Sequence, residues 1–325
     1  MDDTGLSSAW RGKELRGATQ SWTHTLHVDE RAELTAALDK IEQMGRAITA
    51  WSPADFRFSA VSVAARRWRD ALKNGIGFVL IKGVPIAGYP ESTLRALYWT
   101  LGAFLGSPVP QNSAGDLLCD IRDTGADPRN ANTRLYTTRA EQDFHTDAAD
   151  IIGLLCLKSA RSGGTSRIVS SVSVLREFER RRPDLLPLLY RPWPFHNHGQ
   201  AGPDGPTHFM MPIVRAHEAG VASFFLGWYV RRSQELTDAP RLSAAQLEAL
   251  ALYEQIANDP ALYLDMDFEP GDIQWLKNSV ILHKRTEYED WPEQDRKRHL
   301  LRLWLAARDF EDGDERLRSG VKPVK

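Results

Sequence analysis

The residues of this sequence best placed to do chemistry are His145 and Asp147, two positions apart in the segment FHTD. On a β-strand, side chains at positions i and i+2 lie on one face, so an imidazole and a carboxylate could bind the same ion. A third ligand must come from elsewhere in the chain, and His283, in the segment SVILHKR, is the candidate. Two histidines and one carboxylate form the facial set of non-haem iron(II) oxygenases, which leaves coordination positions open for a co-substrate and O2.

The His-x-Asp spacing is weak evidence by itself, because a histidine and an aspartate in a polar surface loop give the same pattern. His196 and His198 have a similar spacing, but they lie among Pro, Asn and Gly with no carboxylate beside them. We interpret these two as loop residues near the entrance of a site. His299 alternates with two arginines and is expected to point away from them.

These arginines, Arg298 and Arg302, belong to the otherwise apolar segment RHLLRLWL. If the segment is a strand, both arginines share a face with Trp304. Burying a guanidinium group is costly unless an anion pairs with it, and arginine binds carboxylates bidentately. The distal carboxylate of 2-oxoglutarate would be such an anion, while its 2-oxo acid end chelates iron. The alternative is a strand at the rim of the sheet, with both guanidinium groups in water.

The elements that must position these residues form two parts. The first 105 residues are predicted to be largely helical, with helices at 31–46, 60–73 and 91–104 and a strand at 77–82. Asp29 is the expected cap of the first helix, and Gly75 is the expected stop of the second.

Short apolar runs separated by turn residues then indicate strands, at 117–121, 151–157, 167–171, 222–229, 263–268, 273–276 and 300–305. A helical insert is predicted at about 243–258. We therefore expect a mainly β protein with flanking helices, whose core at 106–310 is a double-stranded β-helix, or jelly roll. No repeat or linker divides the chain, so residues 1–325 are expected to form a single domain.

Composition excludes some functions. The net charge of -2 over 325 residues does not suggest a nucleic-acid-binding protein. The start of the chain lacks the apolar stretch of a signal peptide, and the run at 221–230 is too short to span a membrane, so we expect a cytoplasmic protein without membrane contact. Cys119 and Cys156 lie in apolar runs and are expected to be buried thiols. The sequence gives no signal for an oligomeric state.

Several segments, in order, resemble the taurine/2,4-dichlorophenoxyacetate dioxygenase family, within the clavaminate-synthase-like group. They are GIGFVLIKGVP, FHTD, SGGTSRIVSS, FEPGDIQWLKNSVILHKR and RKRHLLRLWL. Family members place the arginine that binds 2-oxoglutarate some fifteen residues after the distal histidine, and here 298 − 283 = 15. The resemblance implies that His145, Asp147 and His283 are the iron ligands and that Arg298 binds the distal carboxylate of 2-oxoglutarate.

The resemblance also suggests further contacts. A hydroxyl from a Gly-Gly-x-Thr turn assists the arginine in the family, and the matching residue here is Ser166, with Thr165 beside it as the alternative. Arg302 matches a position that meets the anionic group of the substrate in taurine-type members. The implied reaction consumes Fe(II)-bound 2-oxoglutarate and O2, releases succinate and CO2, and oxidises an unactivated C–H bond, usually by hydroxylation.

The substrate is expected to be a small molecule, such as an amino acid or a natural-product intermediate, and to be anionic if Arg302 faces the cavity. Further candidates for the substrate pocket are Tyr136, Phe144, Trp228, Gln111 and Asn112. Core packing is the alternative for each aromatic residue. Two other functions stay open at this point: a non-catalytic binding protein on the same fold, and a non-redox metalloenzyme, which would have no need of Arg298.

Overall fold

Residues 8–130, 133–198, 205–218, 220–310, 315 and 320–321 are described by a computed structural model. The α-helices of the described residues are α1 (Gly12–Leu15), α2 (Val28–Met44), α3 (Ala60–Lys73), α4 (Glu91–Gly102), α5 (Ser171–Arg181), α6 (Leu186–Leu189), α7 (Gly227–Ser233) and α8 (Ala244–Ala257). Within the described residues, no helix is both long and apolar enough to span a bilayer.

The strands of the same residues are β1 (Thr23–Thr25), β2 (Phe78–Lys82), β3 (Ser107–Pro108), β4 (Leu118–Ile121), β5 (Gln142–His145), β6 (Ile151–Lys158), β7 (Ser162–Gly163), β8 (Ser166–Ser170), β9 (Pro192–His196), β10 (His208–Pro212), β11 (Val214–His217), β12 (Gly220–Ser223), β13 (Leu264–Met266), β14 (Ile273–Lys277), β15 (Ile281–Arg285), β16 (Tyr288–Glu289) and β17 (His299–Ala306).

Two sheets form the core. The larger has the order β1-β2-β14-β6-β17-β3, with β4 also paired to β17, and the smaller has the order β13-β8-β15-β5. Apart from the parallel pair β1–β2, the strands in both sheets pair antiparallel. The chain passes back and forth between the sheets, and apolar side chains from both form one cluster, among them Ile152, Ile168, Leu276, Ile281 and Trp304. This is the predicted jelly roll.

The helices of the first hundred residues cover the outer face of the larger sheet. Leu38 of α2, Trp68 of α3 and Leu101 of α4 share a buried cluster with Trp275 of β14 and Leu303 of β17. Strand β17 is therefore buried on both faces. Its leucines at 301, 303 and 305 pack under the helices. The predicted alternation is thus confirmed, and Arg302 and Trp304 lie on the face toward the smaller sheet.

A second layer covers the smaller sheet. Phe178 of α5 and Tyr253 of α8 pack with Trp193 of β9, Val169 of β8 and Leu282 of β15. Helix α8 is the predicted insert, and it begins with a capping box in which Ser243 accepts a hydrogen bond from the backbone of Gln246.

Two predicted elements differ from the structure. The run at 222–229 was expected to be one strand, but β12 ends at Ser223 and helix α7 begins at Gly227. The aromatic residues there favour a strand intrinsically, but tertiary packing overrides this weak preference. Helix α2 begins at Val28, three residues earlier than expected, and its N-cap is His27 and not Asp29. The reason is a capping box, in which the side chain of Glu30 accepts a hydrogen bond from the backbone N–H of His27.

Candidate metal centre

Three side chains that are far apart in sequence converge between the two sheets. His145 ends β5 and lies directly opposite His283 of β15 in the antiparallel register, and their ring centroids are 4.1 Å apart. Nε2 of His145 lies 3.9 Å from Oδ1 of Asp147, and Nε2 of His283 lies 3.7 Å from Oδ2. The candidate ligand atoms of all three residues lie within 4.8 Å of one another, close enough to bind one ion.

Asp147 does not share a strand with His145, because β5 ends at His145. Its position is fixed instead by Asn278, in the turn between β14 and β15. The backbone N–H of Asp147 donates to Oδ1 of Asn278 at 2.9 Å, and Nδ2 of Asn278 donates to the carbonyls of Asp147 and Ala149 at 2.6 and 2.8 Å. Asn278 was not among the predicted site residues. Its only signal in the sequence is that it is a polar residue between two apolar runs, where a buried position is expected.

The carboxylate of Asp147 is held by two side chains of β17. Trp304 Nε1 donates to Oδ2 at 2.8 Å, and Arg302 Nη1 lies 3.3 Å from the same oxygen. Burial raises the pKa of Asp147, but the charge of Arg302 and the contact with His283 outweigh burial and hold this pKa well below its ordinary value. The group is therefore a carboxylate, which is the form that binds a cation.

The imidazole of His145 is prepared to act as a ligand. Its Nδ1–H donates to the carbonyl of Asp143 at 2.8 Å, which leaves the lone pair on Nε2. Burial, and next the proximity of His283, lower the pKa of His145 to about 3, so the ring is neutral at ordinary pH. Nδ1 of His283 is buried without a partner among the described residues. The set contains nitrogen and oxygen donors but no thiolate. Such a set is typical of iron(II) oxygenases, whereas structural zinc sites usually contain cysteine thiolates.

A second cluster of metal-ligand types contains Glu91, Asp120 and His299. Arg95 donates to both carboxylates, so its charge already compensates the cluster. His299 Nε2 binds Asp120 at 2.6 Å, on the side of β17 away from Arg298, as expected. We interpret this cluster as an ion-pair network.

Beside the metal-binding set, a narrow cavity of about 40 Å³ runs between the sheets; we call it the slot. Arg298 and Ser166 line it, together with His283. Arg298 is 5% exposed, and its Nη1 has no partner among the described residues. Burial lowers the pKa of Arg298. A buried guanidinium with an unsatisfied donor is the arrangement that a carboxylate would complete.

The Gly-Gly turn makes room for Arg298. Gly164 has a φ of +72°, and a Cβ at this position would lie 2.9 Å from Nε of Arg298.

The two candidate hydroxyls after this turn, those of Ser166 and Thr165, point in different directions. Ser166 faces the slot and donates to Gln274 Oε1 at 3.2 Å. Thr165, the alternative, does not line the slot, because its hydroxyl donates to Asp267 at 2.6 Å, outside it. The expectation that it could replace Ser166 was therefore wrong.

A larger cavity of about 440 Å³ opens above the metal-binding set; we call it the main cavity. Three predicted substrate residues line it: Tyr136, Trp228 and Arg302. The ring of Trp228, carried by α7, packs edge-on to His145 with centroids 5.2 Å apart. The other lining side chains are mainly apolar or aromatic, and include Phe209, Met210, Met211, Phe224, Leu226 and Trp304.

The remaining predicted substrate residues do not line the main cavity. Phe144 is 2% exposed and packs in the outer core, because it neighbours His145 on a strand and so points to the opposite face. Asn112 forms a local turn, accepting from the backbone of Ala114 and donating to Asp116. Gln111 is buried behind Arg302 and accepts from its Nε at 2.8 Å, so it positions that arginine.

Arg134, which was not among the predicted site residues, also lines the main cavity. Its Nη1 donates to the Tyr229 hydroxyl at 3.1 Å, and its Nη2 donates to the carbonyl of Gln111 at 3.3 Å. Among the described residues, no carboxylate forms an ion pair with it. No periodic pattern could have identified Arg134, because it lies in an irregular segment. His198, predicted to lie near the entrance of a site, lines the same cavity.

The sequence and the fold are similar to those of known proteins. The sequence model of the family "Taurine catabolism dioxygenase TauD, TfdA family" matches residues 40–304. FR-33289 synthase of Streptomyces rubellomurinus is 31% identical over 310 residues, which cover 92% of this chain and 88% of that protein. The taurine hydroxylase-like protein SAT17 of Stachybotrys chartarum is 26% identical over 308 residues, which cover 91% and 77%.

Solved structures with a similar fold include an asparagine oxygenase in complex with Fe(II), 2S,3S-3-hydroxyasparagine and succinate. Its TM-score is 0.65 at 17% identity, with 88% of this chain and 93% of that chain covered. The non-haem iron oxygenase OrfP, in complex with Fe and alpha-ketoglutaric acid, has a TM-score of 0.63 at 14% identity, covering 87% and 94%. At these identities the similarity concerns the fold.

Proposed function

From the premise that this chain belongs to the taurine catabolism dioxygenase TauD, TfdA family, we propose that it hydroxylates an anionic amino acid or a related natural-product intermediate. As a member of that family it is a non-haem iron dioxygenase that uses Fe(II), 2-oxoglutarate and O2. The rival functions, a non-catalytic protein and a non-redox metalloenzyme, are therefore set aside.

The proposed iron ligands are His145, Asp147 and His283. The single observation that carries this assignment is the convergence of their ligand atoms within 4.8 Å, at a point that borders both cavities. Iron bound there would let 2-oxoglutarate and O2 react to give succinate and CO2, with the second oxygen atom of O2 available to oxidise a C–H bond. The protein's part is to hold three neutral or anionic donors in place and to surround the reacting carbon with a largely apolar wall.

We assign the slot to 2-oxoglutarate. Arg298, with its unpartnered Nη1, would bind the distal carboxylate, and the Ser166 hydroxyl would donate to the same group. Binding of this carboxylate is favourable because the guanidinium group of Arg298 is already buried. The carboxylate would accept a charge-assisted hydrogen bond from the donor that has no partner in the folded protein.

The main cavity is assigned to the substrate. Its volume suits a small molecule, and Arg302 and Arg134 bring two cations to its wall. Arg302 uses one N–H on Gln111 and one on Asp147, which leaves others of its five donors for a ligand. Two of the structural neighbours are described with hydroxylated amino acids, hydroxyasparagine and hydroxyarginine, which supports an amino acid or a derivative of one.

An anaerobic titration tests the iron and 2-oxoglutarate assignments. Fe(II) and 2-oxoglutarate together should give the weak visible charge-transfer band of the chelate in the wild-type protein. His145→Ala should abolish the band. His24→Ala is the matched control, because His24 pairs with Glu30 far from the site, and should retain it. Absence of the band in folded wild-type protein would contradict the proposal.

A substrate panel tests the second part. Succinate release is measured with matched acidic and neutral amino acids, such as aspartate with asparagine and glutamate with glutamine, and with taurine. The proposal expects turnover to favour compounds that carry an extra anionic group. Preferential turnover of neutral or cationic compounds would overturn the anionic specificity.

A further inference from the structure

Three buried arginines line the slot, Arg285, Arg298 and Arg302, and the proposed function does not use Arg285. Arg285 follows His283 by two positions on β15, so the two side chains share a face of the smaller sheet. Arg285 is 7% exposed and lines the slot together with Arg298. Each guanidinium group also contacts the ring of Tyr288, with its Cζ 5.0 Å from the ring centroid.

The hydrogen bonds of Arg285 are incomplete. Its Nη2 donates to the carbonyl of Ala140 and lies 3.5 Å from that of Leu135. Its Nε and Nη1 are buried without a partner among the described residues. The guanidinium is therefore anchored at one nitrogen, while its other donors are unsatisfied.

The charge of this region is also unbalanced. Within the described part of the chain, no carboxylate forms an ion pair with Arg285 or Arg298. Asp290 accepts from the backbone of Arg298, not from its guanidinium. Two neighbouring buried cations with unsatisfied donors are strongly unfavourable, and the ring of Tyr288 offsets only part of this cost because a cation–π contact satisfies no N–H in its plane.

We infer that Arg285 is a second arginine that binds the distal carboxylate of 2-oxoglutarate, alongside Arg298. A carboxylate has two oxygens with about four acceptor sites, so it can accept from both guanidinium groups at once. This inference rests on the proposed function, because it needs 2-oxoglutarate in the slot. It makes Arg285 a determinant of selectivity for a 2-oxo diacid over a 2-oxo monoacid.

The test compares two ligands of equal chain length. 2-Oxoglutarate has the distal carboxylate, whereas 2-oxopentanoate carries a methyl group in its place and chelates a metal through the same 2-oxo acid end. Dissociation constants are measured anaerobically with Fe(II), from the charge-transfer band, for the wild-type protein, Arg285→Gln, Arg285→Lys and Arg298→Gln. Arg167→Gln is the matched control, because Arg167 lies on neighbouring strand β8 in an ion pair with Asp265.

Arg285→Gln is expected to raise the dissociation constant of 2-oxoglutarate about 10- to 100-fold and to leave that of 2-oxopentanoate within about threefold. Arg285→Lys should lie between Arg285→Gln and wild type, and Arg167→Gln should match wild type. Retained binding of 2-oxopentanoate also demonstrates that a variant is folded.

Equal loss of both ligands in Arg285→Gln and Arg285→Lys, or wild-type affinity for 2-oxoglutarate in Arg285→Gln, would overturn the inference while the function stands. A wild-type protein that gives no band with either acid would instead overturn the proposed function, and the inference with it.

Discussion

Trp304 donates a 2.8 Å hydrogen bond from its indole Nε1 to Oδ2 of Asp147, so the last strand of the larger sheet orients the carboxylate of the metal-binding set. Trp304→Phe keeps most of the ring but removes this donor. We expect Fe(II) affinity to fall about 10- to 100-fold, the usual effect of losing a contact that orients a ligand. Anaerobic competition with a chelator measures it. Trp51→Phe is the control, because Trp51 is equally buried and its Nε1 binds no described residue.

Asn278 should be as important for stability as for the site. Asn278→Ala leaves one backbone N–H and two carbonyls of the 147–149 segment without their partner. We expect the free energy of unfolding to fall by about 2–5 kcal/mol, measured by urea unfolding of the metal-free protein. Asn112→Ala, in an exposed turn, should cost less than about 1 kcal/mol and leave turnover unchanged. Similar losses for the two variants would contradict our account of Asn278.

Substitutions of Arg134 and Arg302 should differ in their effects on substrate KM and Fe(II) affinity. Arg134 contacts none of the three candidate ligands, whereas Arg302 contacts Asp147. Arg134→Ala should therefore raise the KM for an anionic substrate about tenfold or more without changing Fe(II) affinity. Arg302→Ala should affect both. An unchanged KM in Arg134→Ala and Arg302→Ala would show that neither arginine binds the substrate.

Gly164 is expected to be essential for 2-oxoglutarate binding. Gly164→Ala introduces a Cβ 2.9 Å from Nε of Arg298 and also strains the backbone at a φ of +72°. We expect the dissociation constant of 2-oxoglutarate to rise about tenfold or more, since a displaced charge-assisted contact costs at least this much. Gly88→Ala has the same kind of backbone strain, with a φ of +86°, but its Cβ would meet no atom within 4 Å. If Gly88→Ala weakened binding equally, strain alone would explain the effect.

The two cysteines should be unreactive in the native protein. Both are buried and unpaired, as the sequence predicted. Burial raises the pKa of Cys156 to about 12 and also raises the pKa of Cys119, so at pH 8 both are protonated thiols, which are poor nucleophiles. A thiol-reactive disulfide reagent at that pH should label neither in the native protein and both in urea. Rapid labelling of a native thiol would contradict their burial.

The sequence by itself predicted which three candidate ligands converge and which residues share a face of β17. The alternation in 298–305 predicted that Arg302 and Trp304 lie opposite the leucines that pack under the helices, and this is confirmed. The same rule would have placed Phe144 in the core, opposite His145. These features depend only on the period of the extended backbone, which holds for any strand.

Only the tertiary structure decided how these residues meet their partners. Asn278 holds Asp147 across 131 positions of sequence, and Trp304 holds it across 157. Arg134 reaches the main cavity from an irregular segment, and Trp228 does so from a helix where the sequence predicted a strand. Such contacts depend on the register between strands and on the paths of loops. Both are fixed by the packing of the whole core, because no local pattern specifies which distant segment a side chain will contact.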